Sequence, residues 1–541
     1  MRMLLAAVVG IAALAGSSPG RAHGFEAGAR GSTLDVADAT LVASAAEDRT
    51  RAQLQAAREL LETLARPWPD ALTRAVTLAK AGTAAQARSL SIDVAVASMT
   101  PTHASPSQAA ATLASLYGVD ADPRQLARLD QIAGPAQDAL TRLIDAFASV
   151  NSAARAAFGS SDPVALQAPV EQVRGKVNPA DVFAARDRML DAVRALRESI
   201  GPEVTNTESC SPITVPPAFS IDVGMCDNTY TQDIALLVDA GGNDTYFNNA
   251  GGSNVLDASC SGVFTTDPGG AGALIDLSGD DIYGDPAAPR SCGVNGGGYY
   301  GSGFLLDAAG SDMYNAGSYA TNGGSENGAG FLLDAEGDDT YTAGSNHTNG
   351  GNGFLIDAGG NDAYTAGHLG TNGSGYSGGN GFLLDAGGDD TYTAGAGGTN
   401  GGGFTANSFS GSGFLLDAGG NDTYSAGAYG TNGGGYAFDA SPIIEASAAG
   451  VGFLLDAGGN DTYIAGGYPN SNRPQGTNGG GSSGLGFVDT LQPFYRLGVG
   501  LLLDAAGTDT YFDYDGGTGA DCTRAPKWTV GAQIDLPNTT C

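Results

Sequence analysis

A twelve-residue motif recurs nine times between residues 235 and 511 of the chain, and its internal spacing never changes. Its fullest form runs from Gly413 to Tyr424: Gly-Phe-Leu-Leu-Asp-Ala-Gly-Gly-Asn-Asp-Thr-Tyr. One Asp is followed five residues later by a second Asp and seven residues later by a Tyr. The first five copies are Asp239/Asp244/Tyr246, Asp276/Asp281/Tyr283, Asp307/Asp312/Tyr314, Asp334/Asp339/Tyr341 and Asp357/Asp362/Tyr364. The remaining four are Asp385/Asp390/Tyr392, Asp417/Asp422/Tyr424, Asp456/Asp461/Tyr463 and Asp504/Asp509/Tyr511. Successive first Asps lie 37, 31, 27, 23, 28, 32, 39 and 48 residues apart. A rigid motif on connections of variable length is the mark of stacked repeats that carry insertions on one side.

Within the motif the local reading is strand, tight turn, strand. Phe304-Leu305-Leu306 is a short apolar run, Ala308 to Ser311 turn, and Met313-Tyr314 resume extended structure. A hairpin would set the two Asps of one motif against each other across the strands, which is unfavourable for like charges. A parallel stack instead superposes like residues, and the shortest spacing of 23 residues accommodates one coil. A second row, Thr-Asn-Gly, follows at Thr321-Asn322, Thr348-Asn349, Thr371-Asn372, Thr399-Asn400, Thr431-Asn432 and Thr477-Asn478, with Asn295 opening a related Asn-Gly-Gly-Gly. It reads as a turn whose Asn side chains bond along a ladder. The expected fold is mainly β: a C-terminal parallel β-solenoid, β-helix-like or β-roll-like, preceded by a small α-helical bundle.

Charge sets the next constraint. The formal net charge is −33, and residues 206–541 hold 37 acidic and only 5 basic groups. Such a surface repels nucleic acid and anionic lipid. Neighbouring coils lie about 4.8 Å apart, where two carboxylates repel by roughly 1 kcal/mol in water and about 3.5 kcal/mol at an effective dielectric near 20. The five cations, Arg290, Arg473, Arg496, Arg524 and Lys527, all fall outside the motif. Bound cations are the remaining general way to offset the repulsion. Both Asps of every motif are therefore candidate metal ligands, and oxygen donors of this type suit a hard ion such as Ca²⁺.

The motif resembles the repeats-in-toxin (hemolysin-type) calcium-binding family, whose nonapeptide is G-G-x-G-x-D-x-U-x with U apolar. Gly420 matches the last Gly, Asp422 the metal-ligand Asp, Tyr424 the buried U position and Leu415 the preceding one. The resemblance implies a parallel β-roll in which backbone carbonyls and Asp side chains of neighbouring turns coordinate Ca²⁺. The chain departs from the family in carrying Asp417 and Ala418 at the first two glycines, and in using one such turn per 23 to 48 residues.

Residues 1–24 read as a secretory signal: Arg2 is followed by the apolar run Leu4 to Ala15, with small residues at Ala13 and Ala15. No other run is long enough to span a bilayer. Residues 25–201 read as a helical domain, with helices expected over Ala45–Ala65, over Pro123–Phe158 with a break at Gly134-Pro135, and over Pro179–Ile200. His103 reads as a loop residue. Residues 202–220 read as a linker and 221–541 as the repeat domain. All six cysteines, Cys210, Cys226, Cys260, Cys292, Cys522 and Cys541, lie in the acidic part, as expected for disulfides in an exported protein. Nearest-neighbour pairing is one of 15 connectivities.

These features point to a secreted or cell-surface calcium-binding repeat protein with a structural or adhesin-like role. Its partners would be calcium ions and extracellular polysaccharide or a cell-surface protein. A polysaccharide-degrading β-helix enzyme is the alternative, with the long segments 424–504 as the place for unique acids and bases. Ice binding is a further alternative. Thr340-Tyr341-Thr342 and Thr391-Tyr392-Thr393 would stack as outward Thr pairs, although Ile282, Met313 and Phe512 interrupt the pattern and ordinary strand preference accounts for Thr. Gly375-Tyr376-Ser377-Gly378-Gly379 fits a nucleophile pattern without the required strand-to-helix context. His347 and His368 fall in loops between motifs.

Overall fold

A computed structural model describes residues 102–132, 134–158, 211–254 and most of 271–344, together with the motif strands and turns between 352 and 535. The signal segment, the helices expected over 45–65 and 179–200, Cys210, Cys260, Cys522, Cys541, His347, His368 and the 375–379 pattern lie outside the described residues. The chain divides into two compact units, one containing Arg88–Asp339 and the other Thr340–Cys541. Both are built mainly from strands in parallel sheets.

Three helices are described in the first unit: α1 (Pro106–Leu116), α2 (Pro123–Leu129) and α3 (Gly134–Phe158). Pro opens α1 and α2, where its missing N–H has no helical partner to lose. Asp122 caps α2 by accepting the Arg124 N–H at 2.8 Å. The expected break falls between Leu129 and Gly134. The helices bury Leu113, Leu126, Leu129, Leu140, Leu143 and Phe147 against one another. His103 lies just ahead of α1, with its Nδ1 2.6 Å from the Asp145 carboxylate of α3. Two contacts tie the helices to the strands: Asn151 Oδ1 accepts the Ala271 N–H at 3.1 Å, and Arg128 donates to the Ser211 carbonyl at 2.7 Å.

Each motif contributes one strand to each of two sheets. The run before the first Asp enters a leucine sheet, and the residues around the Tyr enter a tyrosine sheet. In the first unit Leu236–Asp239, Ala271–Asp276, Ser302–Leu306 and Ala329–Asp334 pair in parallel in that order. In the second, Asn352–Asp357, Asn380–Asp385, Ser412–Asp417, Val451–Asp456, Val499–Asp504 and Val530–Asp535 do the same. Registers join identical motif positions, for example Phe382 to Phe414 and Asp385 to Asp417. The two strands of one motif pair with neighbouring copies and not with each other, so the repeat is a parallel stack and not a row of hairpins.

Stacking like on like shapes the interior. Tyrosines of successive motifs lie ring on ring, with centroids 4.7 to 4.9 Å apart from Tyr246 through Tyr283 to Tyr314 and 4.8 to 4.9 Å apart from Tyr341 to Tyr511. The Asn row forms the expected ladder where it is described: Asn295 donates to Asn322, Asn372 to Asn400 and Asn400 to Asn432, at 2.9 to 3.0 Å. Asn295 and Asn322 adopt the left-handed conformation that Asn tolerates, with φ of 50° and 47°. The glycine three residues after the first Asp is required by packing. A Cβ on Gly310 would sit 1.5 Å from the Gly279 carbonyl oxygen, and one on Gly420 1.4 Å from that of Gly388.

Two differences from the sequence reading concern the ends of the array. Ile213–Val215 and Phe219–Ile221, inside the segment read as linker, form an antiparallel pair, and Phe219–Ile221 then starts the leucine sheet beside Leu236–Asp239. Pro212, Pro216 and Pro217 obscure the strand alternation there. Residues 219–230 are a degenerate coil whose Tyr230 stacks on Tyr246 at 5.2 Å. One extra residue between its first acid and its Tyr hides it from the motif. Beyond the ninth motif Val530–Asp535 adds a strand in register with Val499–Asp504. The described cysteines, Cys226 and Cys292, are both disulfide-bonded.

Candidate metal centre

All eighteen motif Asps are buried, none more than 2 % exposed. The turn places them by two different devices. The first Asp ends the leucine strand and forms an Asx turn, its Oδ1 accepting the N–H two residues on, at 3.1 Å in Asp239, Asp276 and Asp307 and at 2.9 Å in Asp385, Asp417 and Asp456. Its Oδ2 accepts the Tyr hydroxyl of the preceding coil. Tyr314 reaches Asp334 at 2.6 Å, Tyr392 reaches Asp417 at 2.9 Å and Tyr424 reaches Asp456 at 2.9 Å.

The second Asp binds backbone across the coil boundary. Its Oδ1 accepts the N–H of the second Asp one coil earlier: Asp281 to Asp312 at 2.6 Å, Asp390 to Asp422 at 2.7 Å and Asp422 to Asp461 at 2.7 Å. The residue just before it bonds in the opposite sense. Asn361 Oδ1 accepts the Asp389 N–H at 2.9 Å, and Asp389 Oδ1 accepts the Asn421 N–H at 2.8 Å. Adjacent residues thus staple each turn to both of its neighbours, one on the inside and one on the outside.

The second Asp of one coil and both Asps of the next converge. Asp244/Asp276/Asp281, Asp281/Asp307/Asp312, Asp312/Asp334/Asp339 and Asp362/Asp385/Asp390 each place three carboxylate oxygens within 4.8 Å of one another, all buried. In Asp312, Asp390, Asp422 and Asp461 the Oδ2 atom accepts no hydrogen bond. A buried, unsatisfied carboxylate oxygen is costly. These groups can hold a metal ion, and their all-oxygen donor set fits a hard divalent cation.

Asp509 is buried like the others, at 1 % exposed, and its Oδ1 accepts the Asp461 N–H at 2.9 Å. A second Asp such as Asp312 takes part in two groups, one with the coil before it and one with the coil after it.

The degenerate first coil shows what such a turn does without a second acid. Asn228 stands two residues before Tyr230, the place of the second Asp, and its backbone N–H is accepted by Asp244 as in the other coils. Its amide donates to Asp222 Oδ2 at 2.9 Å. Where the motif has Asp in place of Asn, that donor is missing and a proton or a cation must stand in for it.

The tyrosine contacts lead to the same requirement. Tyr392 lies 2.8 Å from Asp385 Oδ2 and 2.9 Å from Asp417 Oδ2, and Tyr424 lies 2.8 and 2.9 Å from Asp417 and Asp456. A hydroxyl has one proton to give. The second contact of each therefore needs a protonated carboxyl or a neighbouring cation. Burial above all, reinforced first by the other Asp of the same motif and then by carboxylates of adjacent coils, pushes these acids upward: Asp312 to about 11 and Asp390, Asp422 and Asp461 to about 10. Without metal, these four acids hold their protons at neutral pH, whereas Asp244 and Asp281 rise only to about 6.

Sequence reasoning placed the two Asp rows and predicted that their charge must be offset. It missed the tyrosine hydroxyls as donors, because the family resemblance assigns Tyr424 only a buried apolar role. It also missed Asn228. The signal for both was in the chain: the U position is Tyr in all nine motifs, and Asn-Thr-Tyr at 228–230 repeats the motif's ending.

Comparison with known proteins returns no match: no protein-family profile fits the chain, and no curated protein or solved structure is similar to it.

Proposed function

We propose that this is an exported calcium-binding repeat protein whose residues 221–541 form a parallel β-solenoid, with a structural or surface-interaction role. The observation that carries the reading is the recurring group of three buried Asps between coils, in which the second Asp's Oδ2 accepts no hydrogen bond at Asp312, Asp390, Asp422 and Asp461. Asp281, Asp307 and Asp312 would hold one such ion and Asp362, Asp385 and Asp390 another. The ion would supply positive charge where the fold has buried negative charge, so its binding free energy would add to folding free energy. Nothing in this role calls for catalysis. The carboxylates are committed to the stack, and the described part of the repeat region brings only Arg290 among its cations, in an ion pair with Asp233.

A second reading is supported by the tyrosine geometry. The Asp–Tyr–Asp chain can be satisfied by protons alone, giving a metal-free ladder of neutral acids. Calcium titration separates the two. On the calcium reading, full-length protein at pH 7 binds several Ca²⁺ per chain by isothermal titration calorimetry, and EGTA lowers its melting midpoint and β-type circular dichroism. A melting curve indifferent to EGTA, with no bound metal by elemental analysis, would leave only the proton ladder.

A further inference from the structure

The inner rows are acidic; the outer rows of the tyrosine sheet are not. In Thr340–Cys541 each tyrosine of the stack is at most 2 % exposed, so the residues on either side of it face outward. The registers place Thr340, Ala363, Thr391, Thr423, Thr462 and Thr510 in one column. A second column holds Thr342, Thr365, Thr393 and Ser425, followed by Ile464 and Phe512. None of these positions is charged, in a chain of net charge −33.

The array is regular and stiff. Its floor is the tyrosine stack, whose rings stay within 7° of parallel. Its side chains are largely β-branched and restricted at χ1, so little freedom is lost on contact. Neighbouring coils repeat at about 4.8 Å and outward residues along one strand at about 6.7 Å. Six strands then give a strip roughly 24 Å by 7 Å, well short of the ~800 Å² per partner of a stable protein interface. A second copy of the chain or a folded protein is therefore a poor occupant. A charged polymer finds no counter-charge on it. A ligand that is itself a neutral lattice can meet every row at once, each contact weak and all of them in register. The four coils from Thr340 to Ser425 present no aromatic ring on this face for a sugar to stack on. They do alternate methyl groups, which order first-shell water, with hydroxyls that can take the place of lattice water.

We propose that this face binds the surface of ice. The interruptions noted in the sequence at Ile282 and Met313 belong to the first unit, and in the second unit the first column keeps Thr in five of six coils.

The test is ice-recrystallisation inhibition by the full chain with calcium present, its fold checked separately by circular dichroism. Wild type is expected to inhibit. Thr365→Lys combined with Thr393→Lys should raise the concentration needed about tenfold, with an unchanged melting curve. Ile464→Thr with Phe512→Thr should lower it by extending the second column. The proposal is overturned if the folded chain leaves recrystallisation untouched, if the lysine variant inhibits equally well, or if the protein is retained by crystalline cellulose while ice growth is unaffected. Because folding is read independently, a failure of the calcium reading would show as a melting curve indifferent to EGTA and leave this comparison interpretable.

Discussion

Replacing Asp422 by Asn tests the buried acids most directly. Burial, and next the carboxylates of Asp417 and Asp456, push Asp422 up from 3.8 to about 10. At pH 7 without metal, the folded chain holds a proton there that the unfolded chain has released. The cost is about 1.36 kcal/mol per pH unit from 3.8 up to 7, roughly 4 kcal/mol, and it depends little on the folded value so long as that stays above 7. The stability contributed by the protonated group is complete below pH 3.8 and is lost as pH rises toward 10. Asn is neutral throughout. It keeps an oxygen for the Asp390 N–H and gains an amide for Asp417, the arrangement Asn228 and Asp222 already use. In EGTA at pH 7, Asp422→Asn should therefore unfold later than wild type in urea or on heating, by as much as about 4 kcal/mol. At pH 4 in EGTA the two should nearly coincide. With calcium at pH 7 the order should reverse, because the variant has lost a ligand. Urea and thermal curves of the full chain, followed by circular dichroism at both pH values, give all three comparisons. A variant less stable than wild type in EGTA at pH 7 would refute the reasoning, since it would mean that Asp422 is not held as an uncompensated buried acid.

Two further substitutions probe the packing around the same rows. Gly420→Ala puts a methyl group 1.4 Å from the Gly388 carbonyl oxygen, and overpacking of this kind typically costs about 1–3 kcal/mol or more; a melting midpoint equal to wild type would show that the coils can slide apart to admit it. Tyr424→Phe keeps the ring stack but removes the hydroxyl between Asp417 and Asp456, so it should destabilise by about 1–3 kcal/mol in EGTA; a loss confined to calcium-loaded protein would instead make that hydroxyl part of the metal site.

The chain announces its stack through arithmetic. Fixed offsets of five and seven residues inside the motif, set against variable gaps outside it, specify which residues superpose, and the structure superposes them in parallel. Like-charge opposition was enough to disfavour hairpins, because that argument needs only side-chain period and spacing. The need to neutralise the Asp rows was also legible, since it follows from charge and coil spacing alone. Burial was not. Whether a carboxylate faces water or tyrosine depends on how the turn folds between the two sheets, and at the motif level Asp417 and Asp422 look alike. The tertiary structure separates them: one receives a hydroxyl, the other a backbone N–H from the preceding coil, and its remaining oxygen is left without a donor. It also brought in residues that the motif does not announce. Residues 219–221 and 530–535 join the leucine sheet in register with their neighbours. At Asn228 an amide stands where the motif has its second acid, because it donates to Asp222 where a carboxylate would only repel it.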